Sequence, residues 1–327
     1  MSERVAVLLC GYGEVEDYDD FQEYNEKSFR LLVAKSIKFP DFSIPWLSRR
    51  LERSQRKEWH AANHYHSPHN DIFERQRAGI EKSLKETYGD DVAVFKAYNF
   101  VEPFLPEQVL ADIREQGFEK ILVYPWLVVD SVFTSGLALQ QINEALHPDG
   151  SWVKDIRYLP SFWERPDFQQ LLVDHILDGV APLLERYVQS QVGIVLCLHG
   201  CPLETKGMET GVRESTALYY AMQERLIGRF PLISPGWMNH PVPGKWTTPD
   251  VDQAATNLIG LGARALVFVP IGFVTENHET QLDIRYTIDK LDGQVETVHL
   301  STLNEHPELL AMGAGWIQPL IDDLRAG

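Results

Sequence analysis

Cysteine is scarce: the 327-residue chain holds three, Cys10, Cys197 and Cys201. An odd count without framework spacing argues against a disulfide scaffold and fits a reducing compartment. Cys197 and Cys201 flank His199, so a thiolate metal site is one reading of that segment; buried free thiols are the plainer one. No cysteine cluster stands near the C-terminus, so no iron–sulfur cluster is expected. Positive charge is also short. Lys and Arg number 30 against 47 Asp and Glu, a net charge of −17. Phosphate backbones are held by clustered cations, which argues against nucleic acid as a partner. An anionic membrane surface gains no general attraction either. No apolar run approaches the ~20 residues of a membrane span, and Met1–Gly11 is too short and too soon interrupted to be a secretory signal. The expectation is a cytoplasmic protein without a transmembrane segment. Transient membrane association and the oligomeric state are left open.

What the chain does have is alternation. Short runs rich in Val, Ile and Leu lie at Val5–Cys10, Val92–Ala97, Ile121–Tyr124, Val192–Leu198 and Ala265–Pro270. They show little polar alternation, the pattern of strands covered on both faces of a parallel sheet. Amphipathic stretches separate them: Asp71–Tyr88, Glu107–Gln116, Phe168–Tyr187, Glu214–Ile227 and Asp250–Leu261. This predicts an α/β chain of two Rossmann-like domains, with parallel sheets flanked by helices and a cleft between the domains. The turn cluster at His147–Ser151 predicts domains over 1–150 and 151–305. A helix within 306–327 is expected to pack back on the first domain.

Ligands of parallel sheets bind beyond the carboxyl ends of the strands, so those loops carry the candidates. Residues 197–202 read Cys-Leu-His-Gly-Cys-Pro. His199 sits where a buried strand opens into a loop, and Gly200 allows a sharp turn or a close approach. Residues 269–280 run from a strand into Glu276, Asn277, His278 and Glu279. Two carboxylates and an imidazole so close together need partners. A helix N-terminus capped by Thr275, with Glu276 and Glu279 favoured by the dipole, is the competing and compatible reading. Cys-Gly-Tyr-Gly-Glu at 10–14 lacks both the G-x-G-x-x-G spacing and a Walker lysine, so nucleotide binding is discarded. Tyr12 is left as a phenol at a strand end, either functional or packed on the domain edge.

These segments together resemble the ferrochelatase family, enzymes that insert ferrous iron into a porphyrin. Residues 197–202 resemble the family's Ser-Ala-His-Gly-Leu-Pro, and 269–280 its Val-Pro-Ile-x-Phe-x-Ser-Asp-His-Ile-Glu-Thr. Weaker echoes are Trp246–Pro249, Ser67-Pro68 with Gln76, Leu303–Pro307 and the first strand with its Gly-Tyr-Gly turn. The resemblance spans nearly the whole chain. It implies that His199 is the porphyrin-facing histidine, a proton acceptor or transient metal ligand, and Glu279 its acidic partner across the macrocycle, the two together forming the core of the metal set. Tyr12 would reach the metal from the other face, and Glu276 and His278 would extend the metal set. Tyr12, Arg30, Ser131, Trp246 and Asn277 would meet the porphyrin. Arg49, Arg50 and Arg53 join Arg30 as candidate partners of propionates, and Phe39–Phe42 with Ile44–Trp46 as an apolar lip. Porphyrin and a divalent metal ion are then the partners, with ferrous iron a substrate and no cofactor permanently bound. The chain departs from the family at Asn277, where a histidine is usual, at Cys197, at His64-Tyr65, across Leu127–Ser131 and at His240, which stands for an arginine.

The chemistry suits the residues. Two pyrrole protons must leave as the metal enters, and a neutral imidazole, with an ordinary pKa of ~6.5, can take them. A carboxylate can relay protons or hold the cation. Four histidines, His60, His64, His66 and His69, read either as a metal-collecting stretch or as a solvated loop. The departures keep two other readings open: a porphyrin- or haem-binding carrier or regulator, and a chelatase or dechelatase for another tetrapyrrole or metal.

Overall fold

The computed structural model describes residues 4–16, 26–28, 30, 41–46, 48–50, 65–147, 149–205, 207–240 and 244–326. The chain divides into two compact units. The first comprises Met1–Glu52, His66–Phe162 and Asn304–Gly327; the second comprises Arg53–Tyr65 and Trp163–Leu303.

In the first unit β1 (Val5–Gly11), β2 (Val92–Tyr98), β3 (Lys120–Pro125) and β4 (Asp155–Tyr158) form a parallel sheet in the order β2-β1-β3-β4. Every residue of β1 is buried, because the strand is central and covered on both faces. Helix α1 (His69–Tyr88) turns Ile72, Phe73, Gln76, Ile80 and Leu84 inward at helical spacing and lies on β2. On the opposite face Ala6, Leu8 and Cys10 meet Val109, Leu110 and Ile113 of α2 (Pro106–Glu115) and Ala138 and Ile142 of α3 (Ser135–Leu146). The C-terminal helix (Pro307–Ala326) packs on α1, β1 and β3. It comes so close that a Cβ on Gly313 would lie 2.6 Å from the Trp126 ring. Its last turn is held by Lys120, whose ammonium donates to the Leu324 carbonyl at 2.5 Å, a cation where the helix dipole wants one.

The first unit runs to Phe162 instead of ending near residue 150. The reason is β4, which pairs with β3 from Lys120↔Asp155 to Val123↔Tyr158 beyond the turn cluster.

The second unit repeats the topology. β5 (Val192–His199), β6 (Leu232–Met238), β7 (Ala265–Val269) and β8 (Glu296–His299) are parallel in the order β6-β5-β7-β8. Helix α4 (Pro166–Val180) packs on α5 (Val212–Leu226), which also covers β5. On the other face Val195, Cys197, Leu266 and Phe268 meet Val251, Ala254, Ala255 and Leu258 of α6 (Val251–Gly260). Helix α6 starts at a reciprocal cap: the Gln253 N–H donates to the Asp250 carboxylate at 2.8 Å, and the Asp250 N–H to the Gln253 side chain at 3.2 Å. The chain leaves β5 for β6 on one side and reaches β7 on the other. The carboxyl ends of β5 and β7 therefore flank a topological switch point, where open α/β sheets place ligands.

Candidate active site

His199 is the last residue of β5. Pairing of His199 with Met238 sets the end of β6 beside it, and Leu196↔Val269 ends β7 at the same edge. Three loops therefore open together. The Gly200 N–H donates to the Met238 carbonyl at 2.8 Å. A Cβ at position 200 would lie 2.6 Å from that oxygen and 2.7 Å from Asn239 Cα. The close approach that glycine permits here is therefore to the neighbouring strand's own backbone. Thr247 staples the loop, accepting from the Cys201 N–H at 3.0 Å through Oγ1 and from Asn239 Nδ2 at 2.9 Å through its carbonyl.

His240 follows two residues after β6. Its ring stands edge-on to His199, with centroids 5.0 Å apart, and to Trp246, at 5.9 Å. Phe273 flanks His199 at 6.4 Å.

Glu279 opens a π-helical turn, Glu279–Asp283, that continues as α7 (Ile284–Lys290). The expected helix start with Thr275 as cap does not form. Asn277 does the capping instead: its Oδ1 accepts from the Thr280 N–H at 2.8 Å, and its own N–H donates to Thr280 Oγ1 at 3.0 Å. A short polar side chain can mimic the backbone in this way. Glu276 stands outside the turn, accepting from Thr280 Oγ1 and from the Thr302 N–H, both at 2.6 Å. It clamps the loop after β7 to the segment after β8. Burial raises its pKa against the opposing pull of these hydrogen bonds.

Three ligand atoms converge. His199 Nε2 and His240 Nε2 are 3.1 Å apart, and Glu279 Oε1 lies 3.6 Å from the first and 3.5 Å from the second. Among the described residues these are the side chains whose His, Cys, Asp or Glu ligand atoms gather as a potential metal site. The three side chains are 43%, 33% and 11% exposed for His199, His240 and Glu279, so His199 is the most open to a substrate. Burial pushes the pKa of His240 down to about 4; the Glu279 carboxylate pulls it up, while His199 and His278 push it down further. His240 is therefore a neutral ring at physiological pH, with a lone pair to offer.

His199 and Glu279 do not face each other across a cleft. Both belong to the second unit, and a 3.6 Å separation leaves no room for a macrocycle between them. The thiols stay out of the cluster. Burial pushes Cys197 and Cys201 up to about 12, so both remain protonated. Trp246 and Asn277 flank the cluster through His240 and through the π turn, and His278 precedes Glu279 and acts on His240 through its charge. Tyr12, Arg30 and Ser131 belong to the first unit. Tyr12 packs edge-on to Phe100 at 5.0 Å, and Arg30 pairs with Glu26 at 2.8 Å. Ser131 Oγ accepts from the Phe133 N–H at 3.1 Å within a turn. In the apolar lip Phe42 and Trp46 are 85% and 63% exposed, while Ile44 is buried. Arg50 reaches over the Trp46 ring at 5.7 Å. In the histidine-rich stretch His69 is buried and stacks on Phe73, and His66 is exposed. Phe39, Pro40, Arg53, His60 and His64 lie outside the described residues.

Two parallel sheets of one topology, with imidazoles and a carboxylate gathered at a switch point, define a metal chelatase of the two-unit α/β kind. The relatives agree. Residues 4–319 match the model of the ferrochelatase family, and the chain belongs to that family. It is 26% identical over 313 residues to the ferrochelatase of Synechococcus elongatus, covering 93% of this chain and 79% of the relative. To the ferrochelatase of a Synechocystis strain it is 25% identical over 334 residues, covering 98% and 83%. Among solved structures, SirB from Bacillus subtilis with Fe3+ matches with a TM-score of 0.56 at 12% identity, covering 96% of this chain and 94% of that one. The cobalt complex of the sirohydrochlorin chelatase SirB from Bacillus subtilis subspecies spizizenii matches with a TM-score of 0.54, also at 12% identity, covering 98% and 96%. At that identity the likeness speaks for the fold.

Proposed function

We propose that this chain inserts ferrous iron into a porphyrin, protoporphyrin IX or coproporphyrin III, as a cytoplasmic step of haem formation. The observation that carries the reading is His199, the most exposed member of its cluster, held 3.6 Å from the carboxylate of Glu279 at the mouth of β5. The family's relatives, named ferrochelatases, support iron as the metal. Insertion exchanges two pyrrole N–H protons for one divalent ion. His199 accepts the two protons from the ring one after the other, and each leaves it for the Glu279 carboxylate beside it or for solvent. Iron is a substrate here, and no resident cofactor is needed. Trp246, edge-on to His240, and Asn277, in the turn that carries Glu279, contact the macrocycle.

The test is anaerobic mixing of the full chain with ferrous iron and, separately, each porphyrin, following the Soret and visible bands. Insertion is expected, and His199→Ala and Glu279→Gln should each lower its rate by about 10²- to 10⁴-fold, the usual worth of a positioned acid or base. Tight porphyrin binding without insertion of any divalent metal would overturn the reading in favour of a carrier or regulator.

A further inference from the structure

Proton transfer through His199 and Glu279 engages two residues of a three-residue cluster. The third, His240, stands where the family resemblance puts an arginine. We infer that His240 completes a preformed site of two imidazoles and one carboxylate, which takes up a divalent transition-metal ion before any tetrapyrrole arrives. This deepens the proposed function and rests on it for the destination of the metal.

Nε2 of His199, Nε2 of His240 and Oε1 of Glu279 form a triangle with sides of 3.1, 3.5 and 3.6 Å. The point in its plane equidistant from all three atoms lies about 2.0 Å from each, and zinc-type ions sit ~2.0–2.1 Å from such nitrogens and oxygens. At about 2.1 Å from each, an ion would stand about 0.7 Å out of the plane, where the centre of a tetrahedron stands relative to one face. Three ligands then hold the ion and one vertex is left open, as in sites that must pass a ligand or a metal on. No side chain has to move. The Nε2–Nε2 contact gives way to two metal bonds, each ring carrying its proton on Nδ1.

The backbone supports the same assignment. His199 and His240 are carried by adjacent paired strands, locked by the Gly200–Met238 bond and the Thr247 staples. Trp246 braces the His240 ring edge-on, and the Asn277–Thr280 exchange sets the turn that aims Glu279. An arginine at position 240 would place a fixed cation where the third ligand belongs, which a metal site excludes. Two nitrogens with one oxygen favour Fe2+, Co2+, Ni2+ and Zn2+ over Mg2+ and Ca2+, which want all-oxygen shells. The preference for this group of ions is thus a consequence of His240.

The experiment is an anaerobic titration of the metal-free full chain with Co2+ and no tetrapyrrole. Intense tetrahedral visible bands at one equivalent are expected, displaced by Zn2+ and unaffected by excess Mg2+. His240→Ala and His240→Asn should weaken Co2+ binding by more than the roughly 10- to 100-fold that loss of a mere outer-shell partner costs, and abolish those bands. Thermal melts in chelator will show that both variants are folded. Wild-type affinity and spectrum in folded His240 variants would overturn the inference, and so would weak octahedral bands in the wild-type chain. Insertion by the wild-type chain alongside either result sinks the third ligand and leaves the proposed function standing. A tetrahedral, His240-dependent site in a chain that inserts metal into no tetrapyrrole does the reverse.

Discussion

Replacing Gly200 by alanine would put a Cβ 2.3 Å from Asn239 Oδ1, 2.6 Å from the Met238 carbonyl oxygen and 2.7 Å from Asn239 Cα. The first of these atoms belongs to a side chain that can rotate away. The other two are backbone. Even the 3.0 Å that real Cβ atoms respect requires the ends of β5 and β6 to part by about 0.4 Å. That movement stretches the Gly200–Met238 hydrogen bond, now 2.8 Å, and it carries His199 away from His240. Overpacking of this kind costs about 1–3 kcal/mol. Metal sites tolerate displacements of only about 0.2 Å. Gly200→Ala should therefore lower urea stability by about 1–3 kcal/mol in chelator and weaken Co2+ binding roughly tenfold, although every ligand is still present. Circular dichroism in urea and the visible cobalt titration give the two readings. An unchanged denaturation midpoint together with wild-type cobalt affinity would refute the claim that strand approach positions the histidine pair.

Three further perturbations have defined outcomes. Gln76 is fully buried, accepting from the Trp126 indole N–H at 3.0 Å and donating to the Asn304 carbonyl at 2.9 Å; Gln76→Leu should cost about 1–3 kcal/mol for each partner left unpaired, and a urea midpoint equal to wild type would contradict this. Burial raises the pKa of Glu276 above its ordinary value of 4.5, so the folded state binds its proton more tightly than the unfolded chain. Its favourable contribution is full below pH 4.5 and is lost as pH rises through the raised folded value. Wild-type stability should accordingly decline relative to Glu276→Gln across that rise, and parallel pH curves would count against it. His299 has the opposite sign: burial, aided by Arg285 and opposed by a backbone hydrogen bond with Thr280, lowers its pKa below 6.5. Its contribution is present above pH 6.5 and is lost as pH falls toward the folded value, a loss that His299→Gln should abolish in the same urea series.

The central strands are legible because they are buried on both faces. Val5–Gly11 and Val192–His199 have apolar residues at nearly every position, and so do the other two interior strands, β3 and β7. Of the edge strands, β2 is legible as Val92–Ala97, and β4, β6 and β8 are not. β4 and β8 are four residues each and half solvated, so their sequences, Asp-Ile-Arg-Tyr and Glu-Thr-Val-His, carry no apolar run. β6 holds Pro235 and Gly236, which ordinarily argue against a strand. At the end of the sheet, with one neighbour, such a strand can do without some of its N–H groups. Helix α3 begins after the loop Leu127–Thr134 with no cap from the Thr134 side chain, so its start carries no local signal. The 20-residue C-terminal helix, by contrast, shows its apolar stripe plainly.

The site divides along the same line. By itself the sequence determined that His199 ends a buried strand and that Glu279 follows another, because an apolar run stopping at a polar residue marks a strand's carboxyl end. It also carried the family resemblance. It could not place His240, because the strand leading to that residue is the one its proline and glycine disguise. Pairing of β6 with β5 is a contact between residues about 40 positions apart, and only the tertiary structure brings Met238 beside His199 and so His240 Nε2 to 3.1 Å from His199 Nε2. The same is true of the turn at Asn277, where local polarity suggests a cap but the fold decides which side chain provides it. A strand's burial is written into its own residues, whereas the meeting of three loops depends on register between strands, which no short segment encodes.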